Sequence, residues 1–168
     1  KKKAYLWLEG AQLLEKAAAF SCEKAELAGF MESVGYYYSR ASQQARSLTV
    51  FRERRKAAVR AYKKASELFE QISEAKEGKR NECRMLAEYN AAWLASNPSE
   101  RKKIFCGCLT FGRKSVEAYE GASDKSNYGR VCTNLLRCLL EMLYIASDSK
   151  EMAEIAQNGI EYADKAIN

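Results

Sequence analysis

The sequence predicts an all-α fold of about seven helices. Apolar residues recur at helical spacing almost from end to end, and the helix-favouring residues Ala, Leu, Glu, Lys and Arg dominate. No segment alternates apolar and polar residues for long enough to predict a strand. The single Pro, at position 98, fits the first turn of a helix and therefore starts a helix instead of breaking one.

Capping and loop signals separate the predicted helices. In the segment 97–100 an Asn cap is followed by Pro and then by Glu three residues after the cap, and the segment 148–151 repeats this order of cap and Glu. The segments 76–79 and 121–127 have the composition of loops. The helices are accordingly predicted at 2–20, 24–45, 49–73, 79–96, 98–120, 127–147 and 149–167.

Length and composition limit the class of protein. The chain has 168 residues, of which 47% are hydrophobic and 30% charged, so residues 1–168 are predicted to form one domain with an adequate core. The sequence has no His, which excludes Ser-His-Asp and Cys-His triads and His-ligated metals. It also has neither of the standard nucleotide-binding glycine motifs. We therefore expect a protein that is not an enzyme and uses no cofactor.

The cysteines predict a reducing compartment. They lie at 22, 83, 106, 108, 132 and 138, with no C-x-x-C and no zinc spacing. Each lies in a helical stretch of apolar or small residues, so we expect buried, reduced thiols, with metal or disulfide chemistry as the alternative. Reduced thiols indicate a cytoplasmic location. The most apolar stretch, 135–146, is interrupted by Arg137 and Glu141, so no membrane span is predicted.

An internal repeat relates different parts of the chain. A shift of 51 residues places 95–100 on 146–151, and a shift of 57 residues places 59–66 on 116–123. The repeating unit is therefore a pair of antiparallel helices of fifty-odd residues. On the first shift the second copy stops at Asn168, before the unit is complete, so we expect a piece of a longer protein.

The second helix of each pair carries a small residue, an aromatic four residues later and Ala three residues after that, at 58–65 and again at 115–122. This pattern resembles the second helix of tetratricopeptide (TPR) repeats, and the segment 34–38 resembles the matching part of the first helix. The helices here are about three turns longer than those of the family. The resemblance implies helix hairpins stacked as a right-handed α-solenoid whose concave face holds a peptide or another domain, and it implies no catalytic residues.

A basic block covers residues 46–64 and carries eight Lys and Arg against one Glu, whereas the whole chain has a net charge of +6. Four of these residues form one exposed stripe on the third predicted helix, 49–73, which we label α3, and we call them the α3 stripe: Arg52, Lys56, Arg60 and Lys63. Such a stripe could bind an acidic peptide, the phosphates of RNA or anionic lipid head groups. The alternative is a solvated face paired with the acidic faces of neighbouring helices.

Three consecutive tyrosines at 36–38 span about 200° of a helix, so at least one ring should lie away from the core. Tyr36 and Tyr37 are therefore candidate contacts for a partner. The alternative is that these rings wedge between adjacent helices and leave only their hydroxyls at the surface.

Together these features predict a protein–protein interaction scaffold with a groove between helix hairpins, bound by a protein or peptide partner of acidic character. One alternative is a nucleic-acid-binding helical array that uses the α3 stripe. Another is a ligand-sensing regulatory domain of a larger signalling protein, with an apolar pocket between helices. A homodimer could form through apolar faces left exposed on the terminal helices.

Overall fold

The computed structural model describes residues 3–72 and 76–167, with no strand among them. Seven helices follow one another in these residues: α1 (Lys3–Phe20), α2 (Lys24–Ser42), α3 (Leu48–Ile72), α4 (Glu77–Ala92), α5 (Pro98–Gly121), α6 (Lys125–Leu143) and α7 (Ser149–Ile167). The predicted all-α class and the number of helices are confirmed. Residues 2 and 73, where two predicted helices begin or end, lie outside the described residues.

Two capping boxes set the starts of α5 and α7. The Asn97 side chain accepts a hydrogen bond from the backbone N–H of Glu100 at 2.8 Å, and the Glu100 carboxylate accepts one from the N–H of residue 96 at 2.7 Å. Asp148 and Glu151 form the same pair of bonds at α7, both at 2.9 Å. Because each cap satisfies N–H groups that the helix leaves free, both starts lie where the sequence predicts them.

The starts of α4 and α6 differ from the prediction. Helix α6 begins at Lys125 because the Asp124 side chain accepts a hydrogen bond from the N–H of Asn127 at 3.1 Å, a cap that lacks the expected Glu. Helix α4 begins at Glu77, so the predicted loop at 76–79 is wrong from Glu77 onward. Gly78 there is a helical residue in close contact with a neighbouring helix, and not a loop residue.

The carboxyl ends of α2, α4 and α6 come three to four residues earlier than predicted. Each helix ends in tight i→i+3 bonds; for example, the N–H of Leu94 donates to the carbonyl of Ala91 at 2.8 Å. The chain must become extended before the next helix, because the N-cap residue of that helix has non-helical backbone angles, as Asn97 does before α5. The preceding helix therefore ends early.

Consecutive helices pack against one another along the chain. At two close approaches between helices, a tyrosine ring lies against a glycine. A Cβ atom at Gly35 of α2 would lie 2.8 Å from the ring of Tyr62 of α3, and one at Gly78 of α4 would lie 2.6 Å from the ring of Tyr119 of α5. Any larger residue at these two positions would force the helices apart.

Two buried clusters form the core. One joins α2, α3 and α4 around Tyr62 and Phe69, and the other joins α4 to α7 around Phe105 and Leu135. Leu86 of α4 packs against both clusters. Helix α4 therefore links the two halves of the core.

The cysteines are free thiols, and four of the six are buried. The prediction of buried thiols is wrong for Cys22, which lies between α1 and α2, and for Cys106 on the outer face of α5. Cys106 is two positions from the buried Cys108, which places the two thiols about 200° apart around the helix.

The terminal helices expose apolar side chains in two rows. Leu6, Leu13 and Phe20 form one row on α1. Met152, Ile160 and Ile167 form the other on α7. Within residues 3–72 and 76–167, no helix combines the length and the apolarity that crossing a membrane requires.

Candidate functional site

A cleft of about 490 Å³ opens where α2, α4 and α6 face one another. Each helix contributes one face, with lining residues three or four positions apart, and buried Tyr62 and Met85 also line the cleft. The polar and aromatic groups that dominate one end of the cleft are Tyr36, Arg40, Tyr89, Asn90, Asn134 and Arg137. We call this the basic end.

The other end, which we call the neutral end, contains a balanced ion-pair network. Glu32 accepts hydrogen bonds from Lys79 at 2.7 Å and from Arg130 at 3.4 Å. The buried Glu82 accepts from Arg130 at 2.8 Å and from the Tyr119 hydroxyl at 3.0 Å. Burial raises the pKa of Glu82, although the positive charges of Arg130 and Lys79 oppose the rise. Two carboxylates and two cations balance here.

The two ends lie about 11 Å apart along the helices. Asn90 follows Glu82 by about two turns of α4, and Arg137 follows Arg130 by about two turns of α6. The cleft thus presents different chemistry at its two ends.

The arginines of the basic end have no acidic partner among the described residues. Arg40, Arg137 and the arginine behind the cleft wall, Arg55, all lie more than 4.0 Å from every described carboxylate oxygen. Arg55 is only 3% exposed; it donates to the Asn90 side-chain oxygen at 2.7 Å, and its Nε has no hydrogen-bond partner within 3–72 and 76–167. The guanidinium carbons of Arg55 and Arg137 lie 6.0 and 5.7 Å from the ring centroid of Tyr89.

The pKa of Arg55 reflects this lack of acidic partners at the basic end. Burial lowers the pKa of Arg55 to about 10, and the positive charge of Arg137 adds to the lowering. Glu141, whose carboxylate accepts a 3.5 Å hydrogen bond from the Tyr89 hydroxyl, opposes it. Three arginines and one glutamate leave this end with a net charge of +2.

Tyr36 and Tyr37 have neighbouring rings, with centroids 5.9 Å apart, but they differ in their access to the cleft. Tyr36 is 46% exposed and lines the cleft. Tyr37 wedges between α1 and α2: its ring centroid lies 5.2 Å from that of Trp7, and a Cβ at Gly10 would come within 2.5 Å of its ring. The wedge is thus the observed arrangement for Tyr37.

The α3 stripe lies on a different surface from the cleft. Its four residues are exposed, and none of them lines the cleft. None lies within 4.0 Å of a carboxylate oxygen in the described part of the chain, so pairing with neighbouring acidic faces is not observed there. The six residues predicted as partner contacts therefore do not form one site.

Helical spacing gives a signal for two of the missed residues, Arg40 and Arg137. Polar and tyrosine residues recur at 32, 36 and 40 on α2, and polar residues recur at 130, 134 and 137 on α6. Asn90 lies among the buried residues of α4 and carries no such signal. No group of three or more Cys, Asp or Glu among the described residues is placed to hold a metal ion.

Comparisons with known proteins add little to this geometry. No family model matches the chain, and no curated protein matches it. A solved structure from work on the computational design of self-assembling cyclic protein homo-oligomers aligns over 98% of this chain and 70% of that chain, at 12% identity and a TM-score of 0.46. That similarity is too weak to support an inference about function.

Proposed function

We propose that this protein is a non-enzymatic interaction module that binds a peptide segment of a partner protein in the cleft between α2, α4 and α6. The observation that carries the proposal is the convergence of three helix faces on one cleft of about 490 Å³, within the usual range for binding sites. The proposal includes the TPR-like stacking of helix hairpins and the cytoplasmic location expected from the sequence.

The cleft has the composition of a peptide site. Tyr36 offers exposed aromatic area with few rotatable bonds, and Asn134 offers amide hydrogen bonds in the same cleft. These groups stand on helices packed into the core, so little order is lost when a partner binds. Charged side chains at both ends of the cleft, Arg40 and Arg137 at one and Glu32 at the other, favour a peptide over the small apolar ligand of a sensor domain.

A second candidate function is nucleic-acid binding by the α3 stripe. Its four cations span about 16 Å along the helix axis and are exposed without acidic partners among the described residues. Binding of this kind falls steeply as salt rises, because it depends on counterion release.

A cleft-filling substitution tests the proposal. Gly29 lines the cleft, and a Cβ atom there would meet nothing within 4 Å, so Gly29→Trp adds bulk to the cleft without straining the helix. Gly121 is equally open at the end of α5 and lies outside the cleft, so Gly121→Trp is the matched control. Both variants should keep the wild-type circular dichroism spectrum.

The readout is the affinity for peptides selected from a random displayed library on the wild-type protein. We expect Gly29→Trp to weaken the selected peptides at least tenfold and Gly121→Trp to leave their affinity unchanged. Equal affinity in Gly29→Trp would place binding elsewhere and overturn the proposal. Salt-sensitive binding of single-stranded RNA that is lost when the four stripe residues become Glu would instead support the second candidate.

A further inference from the structure

Behind the wall of the cleft lies a buried cation, Arg55, with no carboxylate oxygen within 4.0 Å in the described part of the chain. Arg55 contacts only neutral groups in the described structure: the Asn90 side chain and the rings of Phe51, Tyr89 and Trp93, at 5.2, 6.0 and 5.6 Å. Buried charges in folded proteins are ordinarily paired, since desolvation of an unpaired charge is costly. A negative charge placed near Arg55 would therefore be stabilised by an arginine that the described chain leaves without a carboxylate.

Two further arginines line the basic end of the cleft in front of Arg55. Arg137 lies over the same Tyr89 ring as Arg55, and Arg40 lines the cleft from α2, where its guanidinium lies 5.4 Å from the ring of Trp7. Both can direct N–H groups at a ligand, because neither is held by a carboxylate of the described chain. Asn134 adds an amide donor on the same side.

The size of the uncompensated charge indicates the class of anion. The net charge of the basic end is +2, which one carboxylate would half neutralise. A phosphate monoester carries about −1.5 to −2 at neutral pH and offers three acceptor oxygens. Guanidinium groups match such oxygens in pairs and hold them more specifically than ammonium groups do.

We propose that the basic end of the cleft binds the phosphate of a phosphorylated side chain, so that the module recognises a phosphorylated segment of its partner. This inference rests on the proposed function, which it makes specific. Arg137 and Arg40 contact the phosphate, and Arg55 acts behind them by adding positive potential and by holding Asn90.

The neutral end then binds residues of the partner segment that flank the phosphorylated residue. It lies about 11 Å away, which an extended chain covers in about three residues. Glu32 and Arg130 there offer both an acceptor and donors. A polar residue about three positions from the phosphorylated residue is thus the expected second determinant.

Three peptide libraries test this inference. Their flanks are randomised, and the central residue is phosphoserine, serine or glutamate. Each is passed over the wild type, Arg137→Gln, Gly29→Trp and Lys63→Gln, and the best phosphoserine peptide is titrated by fluorescence anisotropy at two salt concentrations. Lys63→Gln is the matched control, because it removes an exposed, unpaired cation outside the cleft.

We expect the wild type to prefer phosphoserine over serine at least tenfold and over glutamate by a smaller factor. Arg137→Gln should abolish most of this preference, Gly29→Trp should block all three libraries, and Lys63→Gln should change little. A preference lost equally in Lys63→Gln and Arg137→Gln would show non-specific attraction and overturn the inference.

Other outcomes separate this inference from the proposed function. If peptides bind in a way that Gly29→Trp blocks, yet the three central residues are equivalent, the phosphate inference fails and the peptide cleft stands. If no library is retained, or if Gly29→Trp has no effect, both fail. Displacement of the phosphopeptide by a short single-stranded oligonucleotide of equal affinity would assign the phosphate site to nucleic acid and overturn recognition of a phosphorylated protein.

Discussion

The change in the free energy of unfolding on replacing Arg55 with Met shows whether the folded chain supplies a negative charge to balance this arginine. Met has a flexible apolar side chain that can follow the path of the arginine stem between the rings of Phe51, Tyr89 and Trp93. The substitution therefore removes the charge and keeps much of the packing.

The magnitude follows from the surroundings of Arg55. A fall in pKa from 12.5 to about 10, at about 1.4 kcal/mol for each pKa unit, corresponds to about 3 kcal/mol against the buried charge. The lost hydrogen bond to Asn90 and the lost cation–π contacts offset this by about 2–4 kcal/mol. We therefore expect Arg55→Met to change the free energy of unfolding by less than about 1 kcal/mol.

A second substitution sharpens the expectation. In Arg55→Met/Asn90→Leu both hydrogen-bonding partners become apolar, so no buried acceptor on residue 90 is left unpaired. The double variant should be about 1–2 kcal/mol more stable than the single variant.

The assay is urea unfolding followed by far-UV circular dichroism at constant pH, with the slope m compared among variants. Arg84→Met is the matched control: Arg84 also lies over a ring, 5.7 Å from the centroid of Phe111, but it has a carboxylate partner in Glu70 at 3.3 Å. The control should lose about 1 kcal/mol.

A large loss in Arg55→Met would refute the reasoning. Removing one member of a compensated buried ion pair costs about 3–5 kcal/mol. A loss of that size would mean that the folded chain already neutralises Arg55, and the net charge of +2 at the basic end would be wrong.

Three further predictions concern the rest of the fold. Gly112→Ala should destabilise by about 1–3 kcal/mol in urea unfolding, because its Cβ would lie 2.9 Å from the sulfur of Met85 and would collide with Leu135; helix propensity alone predicts a gain of about 1 kcal/mol. Ser123→Gly should stabilise by about 0.5–1 kcal/mol in the same assay, because residue 123 has φ 55° at the end of α5. Glu82→Gln should gain stability relative to the wild type as the pH rises from 4 to 7, measured by urea unfolding at each pH. Burial raises the pKa of Glu82 in the folded chain, so its protonated carboxyl is favoured by folding. The resulting contribution to the free energy of unfolding is complete below the unfolded pKa of about 4.3. It is lost as the pH rises through the folded pKa.

The opposite signs would contradict the structural reasons given. A gain in Gly112→Ala would mean that α5 does not approach its neighbours closely at that position. A loss in Ser123→Gly would mean that the left-handed backbone there costs nothing. A difference between Glu82→Gln and the wild type that does not change with pH would mean that Glu82 has the same pKa in the folded and unfolded chains.

Local signals account for what the sequence predicts of the fold. The caps at Asn97 and Asp148 place two helix starts, because a capping box is a short-range pattern that leaves few alternatives. Asp124 also caps a helix, but Asn127 stands where that pattern expects Glu, so the start of α6 was missed. The helix ends carry no comparable side-chain signal, and they are set by where the chain must extend for the next cap.

The cleft depends on contacts that periodicity does not specify. Helical spacing indicates which face of α2, α4 or α6 is polar, but it does not indicate that these three faces meet. Arg55 is different, because its burial could be predicted from helical spacing. It lies four residues after Phe51, three before Ala58 and seven before Tyr62, on the apolar face of α3. Because Arg55 is one of eight cations in the basic block, charge alone predicts an exposed side chain, whereas its spacing predicts a buried one.

This core arginine links stability to binding. An anion that binds only the folded chain stabilises it by about 2.7 kcal/mol when present at a hundred times its dissociation constant. In the proposed recognition of a phosphorylated segment, the phosphate of the partner supplies the negative charge that Arg55 lacks among the described residues, and Arg40 and Arg137 hold that phosphate in the cleft.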